Sequence, residues 1–445
     1  MQNYKEEIES ELLSRFGNVI KNVEPIQMKG KIVKVVGLVL ESEGPKAKIG
    51  EVCVLRDYFG REVSKSEIVG FKDNRILSMI LGDLTEISPG MEIVATGESL
   101  TVGVGDNLLG RVLNGLGDPI DFKGRISTDE RRSIYANPPN PLSRKRIQEP
   151  IATGIRAIDG VLTLGKGQRV GIFAGSGVGK STLLGMIARN TSADINVIAL
   201  IGERGREVRE FLEKDLGEEG LRRSIVIVST SDAPSLVRVK AALVATTIAE
   251  YFRDRGLDVM LMMDSVTRLA MAQREVGLTI GEPPTTKGYT PSVFALLQKT
   301  MERAGTSEIG SITGLYTVLV EGDDLNEPVS DSARGILDGH IVLSRKLASN
   351  GHYPAIDVLE SISRVKKDVI SNDHYIASSK LLEYLATYRS AEDLISVGAY
   401  QKGVNPKIDR AVAIYDNINE FLKQQIEESS NFDDTIDWLK KIIAS

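Results

Sequence analysis

The run Ala174-Gly-Ser-Gly-Val-Gly-Lys-Ser181 gathers glycines, a lysine and a hydroxyl into one short stretch, and that combination suits phosphate chemistry. Glycines let successive backbone N–H groups converge on a phosphate, which then sits at the positive end of the helix that follows. The lysine reaches the β/γ-phosphates and the serine a Mg²⁺ ion. Gly175, Ser176, Gly177, Val178, Gly179, Lys180, Ser181 and Thr182 are therefore the expected nucleotide contacts, with Ser181 also a metal ligand. Ala174 replaces the usual first glycine of the motif, a small-residue variant. A plain glycine-rich turn would not require the Lys-Ser pair directly after the last glycine. Two further acids stand where the same chemistry needs them. Asp264 ends the apolar run Val259 to Met263 and is expected in the Mg²⁺ shell, through water, although an aspartate there also suits a helix N-cap. Glu203 and Arg204 follow the run Asn196 to Ile201. A parallel sheet would bring them near the phosphate loop, Glu203 to polarise the attacking water and Arg204 to meet phosphate charge. Pattern alone leaves a second use open for Glu203, a cap with i,i+4 pairs on an exposed helix, and Glu207 and Arg209 are read as such pairs only.

These residues need a scaffold of strands with crossover helices. From about Glu149 the chain alternates the two, with strands expected at Gln168 to Phe173, Asn196 to Ile201, Ser224 to Ser229, Asp258 to Met263, Leu315 to Val320 and Ile341 to Ser344, and a long helix at Pro234 to Arg255. Before it, five short β-rich runs (31–40, 51–56, 67–71, 75–81 and 92–95), separated by turn signals such as Asp73-Asn74, predict a small β-barrel. Gly103 to Pro119 is glycine-rich and Asn137-Pro-Pro-Asn-Pro141 reads as an extended linker. After Asn372 no strand is expected, only helices at 378–388, 406–425 and 433–443. The stripe Tyr4, Ile8, Leu12, Phe16 predicts a short amphipathic helix, suited equally to docking on its own domain and to binding a partner. The expected organisation is thus 1–22 helix, 23–100 barrel, 101–148 linker, 149–371 α/β core with a parallel sheet, and 372–445 helical domain.

Composition narrows the function class. A chain of 445 residues, 42% hydrophobic and 26% charged, has ample material for a globular core. Its formal net charge of −6 gives no whole-chain field favouring nucleic acid or an anionic membrane. Cys53 is the single cysteine, which excludes an intramolecular disulfide and a thiolate zinc cluster, and 3 histidines make a His-rich metal site an unlikely design. The charged N-terminus lacks a signal-peptide core, so a cytoplasmic protein is expected.

Longer stretches add a resemblance. Gly202-Glu-Arg-Gly-Arg-Glu-Val-Arg-Glu-Phe211, the loop Phe173 to Thr182, Asp264-Ser-Val-Thr-Arg-Leu-Ala270 and Gly281-Glu-Pro-Pro-Thr-Thr-Lys-Gly-Tyr-Thr-Pro-Ser-Val-Phe294 resemble the flagellar protein export ATPases. So do Val320 to Pro328, Asp338 to Arg345, His352 to Asp357 and Ser361-Ile-Ser-Arg-Val365. This family is the homohexameric type III secretion relative of the catalytic subunit of rotary ATP synthases. The resemblance implies a β-barrel, a RecA-like P-loop core and a helical C-terminal domain. It places the catalytic carboxylate on Glu203, the phosphate-loop lysine on Lys180, the Mg²⁺ ligands on Ser181 and Asp264, the adenine-stacking tyrosine on Tyr353 and an arginine finger, supplied by the neighbouring subunit, on Arg364. Local pattern would read Tyr353 only as a turn aromatic and Arg364 only as the i+4 partner of Glu360. The implied partners are a homohexamer, a stator-like regulator at the N-terminal helix, a central stalk-like coiled-coil protein, chaperone–cargo complexes and a membrane export gate at the cytoplasmic face of the export apparatus, with no nucleic acid. The rival readings are a virulence-injectisome ATPase, a noncatalytic ring subunit, which should lack the carboxylate at position 203, and a hexameric RNA translocase, against which the acidic balance argues.

Overall fold

In the computed structural model the described residues are 27–82, 86–320 and 327–444, and the chain divides into two compact units between Leu100 and Thr101. The amphipathic helix expected over residues 1–22 lies outside the described residues.

The first unit is a closed barrel of strands β1 (Lys29–Val36), β2 (Val39–Glu43), β3 (Glu51–Arg56), β4 (Glu62–Lys72), β5 (Arg75–Ile80) and β6 (Glu92–Ser99), in the order β1-β2-β5-β4-β3-β6. Ile32, Leu40, Leu55, Ile68 and Ile93 fill its interior. The run read as one strand over 31–40 is two, because the chain turns at Gly37 (φ 55) and pairs β1 antiparallel to β2. Asp73 and Asn74 both take positive φ, the backbone that a tight two-residue hairpin turn demands.

The second unit begins with β7 (Thr101–Val104), β8 (Val112–Asn114) and β9 (Glu130–Ser133), so the stretch expected as a linker carries strands. Its main sheet contains β10 (Arg169–Ala174), β11 (Ile195–Ile201), β12 (Ser224–Ser229), β13 (Asp258–Asp264), β14 (Ser311–Leu319), β15 (Gly339–Leu343) and β16 (Ile356–Ser363). Their order is β16-β15-β10-β14-β13-β11-β12-β8, parallel throughout except β16, with a short antiparallel strand Gly305–Thr306 beside β14. Strands buried on both faces read as continuous apolar runs, which is why β11, for example, is buried at every position. Crossover helices include α1 (Lys180–Asn190), α2 (Gly205–Glu210), α3 (Ser235–Arg253), α4 (Val266–Thr279), α5 (Pro291–Glu302) and α6 (Pro328–Ile336). Then come α7 (Asn372–Ser396), α8 (Pro406–Leu422) and α9 (Phe432–Ala444). They bury Leu381, Ile414, Phe421 and Leu439 in a core continuous with that of the sheet. Among the described residues no helix is long and apolar enough to cross a membrane.

Candidate active site

In a parallel sheet the carboxyl ends of neighbouring strands lie along one edge, and three of these ends carry the chemistry here. β10 delivers the loop Gly175 to Gly179, β11 ends before Glu203, and β13 ends in Asp264. Gly177 (φ 78) and Gly179 (φ 89) have left-handed backbone that a side chain would strain, and Gly179 immediately precedes α1. Gly202 (φ 72) makes the turn that brings Glu203 back to the loop.

Lys180, Glu203 and Asp264 converge. Lys180 Nζ donates to Asp264 Oδ1 at 2.5 Å and stands 3.7 Å from Glu203 Oε1. Asp264 Oδ1 also accepts from Thr317 Oγ1 at 2.7 Å, so the middle strand β14 holds the aspartate that β13 supplies. The N-cap role weighed for Asp264 falls to the next residue, since Ser265 Oγ accepts from Arg268 N at 3.3 Å. Burial and the adjacent Asp264 charge push the Glu203 carboxyl up to about 7, the Lys180 charge opposes them, and protonated Glu203 hydrogen-bonds Glu207. Glu207 is held below the usual range chiefly by that bond. It is therefore more than the helix-surface pair read from the sequence. A carboxyl poised near neutrality beside a phosphate-binding lysine suits a group that orients and deprotonates water.

The remaining expected residues divide. Ser181 opens α1 beside Lys180 and is exposed, free to meet a bound ion, while the Thr182 hydroxyl instead bonds the Asp215 carboxylate. Tyr353 is 46% exposed and packs on the loop: a Cβ built on Gly179 would lie 3.6 Å from its ring. Its carbonyl accepts from Gln424 N at 2.9 Å, which ties it to the segment after α8. Arg204 is not brought in. Its side chain is 79% exposed and pairs with Glu207 at 3.4 Å, because the backbone there is starting α2 and directs the guanidinium to solvent. Arg364 is not brought in either. It follows strand β16 rather than lying on a helix, so the i+4 pairing with Glu360 does not exist. Its N–H donates to the Asp338 carbonyl at 3.0 Å, and Asp338 N in turn donates to Arg169 O. That is the amino end of β10, roughly 17 Å along the strand from the loop. Sequence reasoning missed Arg268, whose Cβ to Cδ atoms lie against Gly202 and whose buried Nε has no hydrogen-bond partner. Its position four residues after Asp264 was the available signal.

The donor set fits a magnesium nucleotide: an exposed hydroxyl at a helix start, a carboxylate ending a strand of the same sheet and a lysine within hydrogen-bond distance of that carboxylate.

Comparison with known proteins identifies the family. The nucleotide-binding domain of the ATP synthase alpha/beta family matches residues 154–363, the beta-barrel domain of that family residues 32–97, and the T3SS EscN ATPase C-terminal domain residues 370–441. The Flagellum-specific ATP synthase of Bacillus subtilis is 54% identical over 94% of this chain and 95% of its own. The Type 3 secretion system ATPase of Xanthomonas euvesicatoria is 50% identical over 93% of each. The solved structure of the assembled ATPase EscN in complex with its central stalk EscO, from the type III secretion system of enteropathogenic E. coli, superposes with a TM-score of 0.87 at 45% identity. It covers 93% of this chain and 100% of that one. With family models matching most of its length and relatives about half identical over more than nine-tenths of it, the chain belongs to the family of flagellum-specific and type III secretion ATPases.

Proposed function

We propose that this ATPase works as a Mg²⁺-dependent homohexameric ring that energises flagellar protein export, releasing cargo from chaperones and feeding it to a membrane export gate from the cytoplasmic side. The observation that carries the catalytic part is the convergence of Lys180, Glu203 and Asp264 at the end of β10. Lys180 binds the β/γ-phosphates, exchanging Asp264 for phosphate oxygen, the backbone N–H groups of 175–182 cradle them, and Tyr353 stacks on the adenine. Glu203 orients the attacking water and takes its proton. Ser181 and Asp264 would hold Mg²⁺, which when bound neutralises charge on the phosphates. A ring is supported by Arg364, which cannot reach the loop of its own chain, and by the assembled state of EscN. EscN also binds a central stalk, and a coiled-coil stalk is the partner proposed for this ring. Residues 1–22 are proposed to bind a stator-like regulator.

The test is ATP hydrolysis by the purified protein with and without Mg²⁺, beside Lys180→Ala and Glu203→Gln. Turnover that ignored Mg²⁺ or survived both substitutions would refute the site. The relatives carry flagellar and secretion names alike. Flagellar rod, hook and chaperone genes found beside this one would support the flagellar assignment, and injectisome genes in their place would overturn it.

A further inference from the structure

Tyr353 is held from two sides. Its ring packs toward Gly179, the residue before α1, where a built Cβ would lie 3.6 Å away, and its carbonyl accepts from Gln424 N at 2.9 Å, just past the end of α8. Gln424 is 5% exposed and both polar atoms of its side chain are engaged. Oε1 accepts from Arg156 N at 2.9 Å, and Nε2 donates to the carbonyls of Gly154 at 2.7 Å and Glu428 at 2.9 Å. Gly154 in turn sits against the far end of α1, since a Cβ built on it would collide with the side chain of Asn190, the last residue of that helix. The contacts therefore close on themselves. They run from Gly179 along the 11 residues of α1, about 16 Å, to Asn190, across Gly154 and Gln424, and back through Tyr353 to Gly179. Two arginines brace this circuit. Arg189, also on α1, donates to the Ile426 carbonyl at 2.8 Å. Arg156, buried over the Trp438 ring, donates through Nε to the Phe421 carbonyl at 2.9 Å and through its other nitrogens to the Lys423 carbonyl and the Glu428 carboxylate.

We propose that Gln424 is a positioning residue for the nucleotide base, its buried carboxamide setting the gap between the Tyr353 ring and the phosphate loop. The proposal rests on the reading of Tyr353 as the adenine stack. A nucleotide whose phosphates are fixed at the start of α1 must place its base where the Tyr353 ring stands, so the ring has to be set relative to that helix. Tyr353 lies in the connection between β15 and β16 and is 46% exposed, so its own burial does not lock it. The closed circuit does, with α1 as its ruler. Gln424 bonds Tyr353 through its main-chain N–H, which survives substitution; what the side chain supplies is where that N–H stands. Holding an aromatic ring in its bound position before the ligand arrives lowers the ordering cost of binding, and a displacement of about 1 Å in such a support is enough to weaken it.

The test uses the full chain in steady-state Mg-ATP hydrolysis, with Gln424→Met, which keeps the side-chain volume and removes its hydrogen bonds, with Tyr353→Ala, and with the two together. Inorganic tripolyphosphate, which carries phosphates and no base, is the competing probe. Gln424→Met should raise KM for ATP about tenfold, keep kcat within about twofold and leave the inhibition constant of tripolyphosphate unchanged. The double variant should show a KM no higher than that of Tyr353→Ala alone, because two residues acting through one contact are not additive. A general loss of structure would move tripolyphosphate inhibition together with KM, and independent effects would multiply in the double variant; either result overturns the proposal. So does an unchanged KM in Gln424→Met beside a raised one in Tyr353→Ala. An unchanged KM in Tyr353→Ala instead removes the stacking reading, and the proposal with it. Should Gln424→Met fail to fold, Arg189→Met removes the bond from α1 to Ile426 at a half-buried side chain and should raise KM about threefold, again only while Tyr353 is present. An unchanged KM there decides against the circuit.

Discussion

Glu203 concentrates the chemistry of one residue. Half-buried beside Asp264, its carboxyl is held up to about 7, so the fraction competent to accept a proton changes steeply across neutral pH. The logarithm of kcat/KM, which reports the free enzyme, should rise with unit slope below about pH 7 and flatten above it. A profile flat from pH 5.5 to 8.5 would contradict the assignment. Glu203→Gln should lower kcat by about 10² or more, the loss typical of removing a positioned base, and leave ATP affinity nearly intact. The same shift has a stability consequence with a definite sign. Because the folded pKa lies above the unfolded one, the native state binds the extra proton, and this group's contribution to stability falls as pH rises from about 4.5 to 7. Glu203→Gln cannot ionise, so its Tm should gain on the wild type more at pH 8 than at pH 5. An equal difference at both pH values would show that the carboxyl is not perturbed in the fold.

Elements were legible where one continuous pattern determined them. The buried strands β10 to β13 are apolar runs bounded by turns, and their boundaries follow from the sequence within a residue or two. β16 was not legible, because only its first three positions are buried, the rest alternate half-buried and exposed, and it follows a proline and pairs antiparallel at the sheet's edge. Nor was β8. Three residues, Val112 to Asn114, carry no period, and only their pairing with Val226 to Val228 makes them a strand. The site divided on the same ground. Lys180, Ser181, Glu203 and Asp264 sit at strand ends that the pattern located, whereas Thr317 and Gln424 act through contacts between segments distant in the chain that no local spacing encodes. Arg303 is another such residue, a lone arginine just past α5. It is 1% exposed, and its guanidinium donates to both Glu250 carboxylate oxygens at 2.8 and 2.6 Å, to Thr247 Oγ1 at 2.8 Å and to the Ile134 carbonyl at 2.8 Å. It thereby joins α5, α3 and the chain after β9. Arg303→Met should destabilise by about 3 to 5 kcal/mol, because it strands Glu250 in the interior. The double change Arg303→Met with Glu250→Leu should recover much of that loss in denaturant titrations. Equal stability of the single and double variants would mean that Glu250 finds water or another donor.

At the scale of the whole molecule, Arg364 asks whether one chain is a complete enzyme. Hydrogen bonds fix its backbone at the amino end of β10, by way of Asp338 and Arg169, while the phosphate loop leaves the other end of that strand. A guanidinium there serves γ-phosphate only if it serves a neighbour's. Specific activity should therefore rise with protein concentration as rings assemble, and activity per subunit that stayed constant on dilution while light scattering reported monomer would rule this out. An arginine finger accounts for about 10³ to 10⁵ in kcat in related nucleotide hydrolases, so Arg364→Ala alone should be nearly inactive. That result does not separate a finger from a structural arginine, but mixing does. In rings co-assembled from Arg364→Ala and Glu203→Gln subunits, some junctions pair an intact Glu203 with an intact Arg364 from next door. A finger acting across the interface returns part of the lost hydrolysis at those junctions. If Arg364 acted within its own chain, every site would lack one group and no mixture would recover. Mixed rings confirmed by mass and assayed at several mixing ratios decide the matter, because trans complementation scales with the fraction of mixed junctions and peaks near equal parts. A flat, inactive series would return Arg364 to a structural role at the foot of β10.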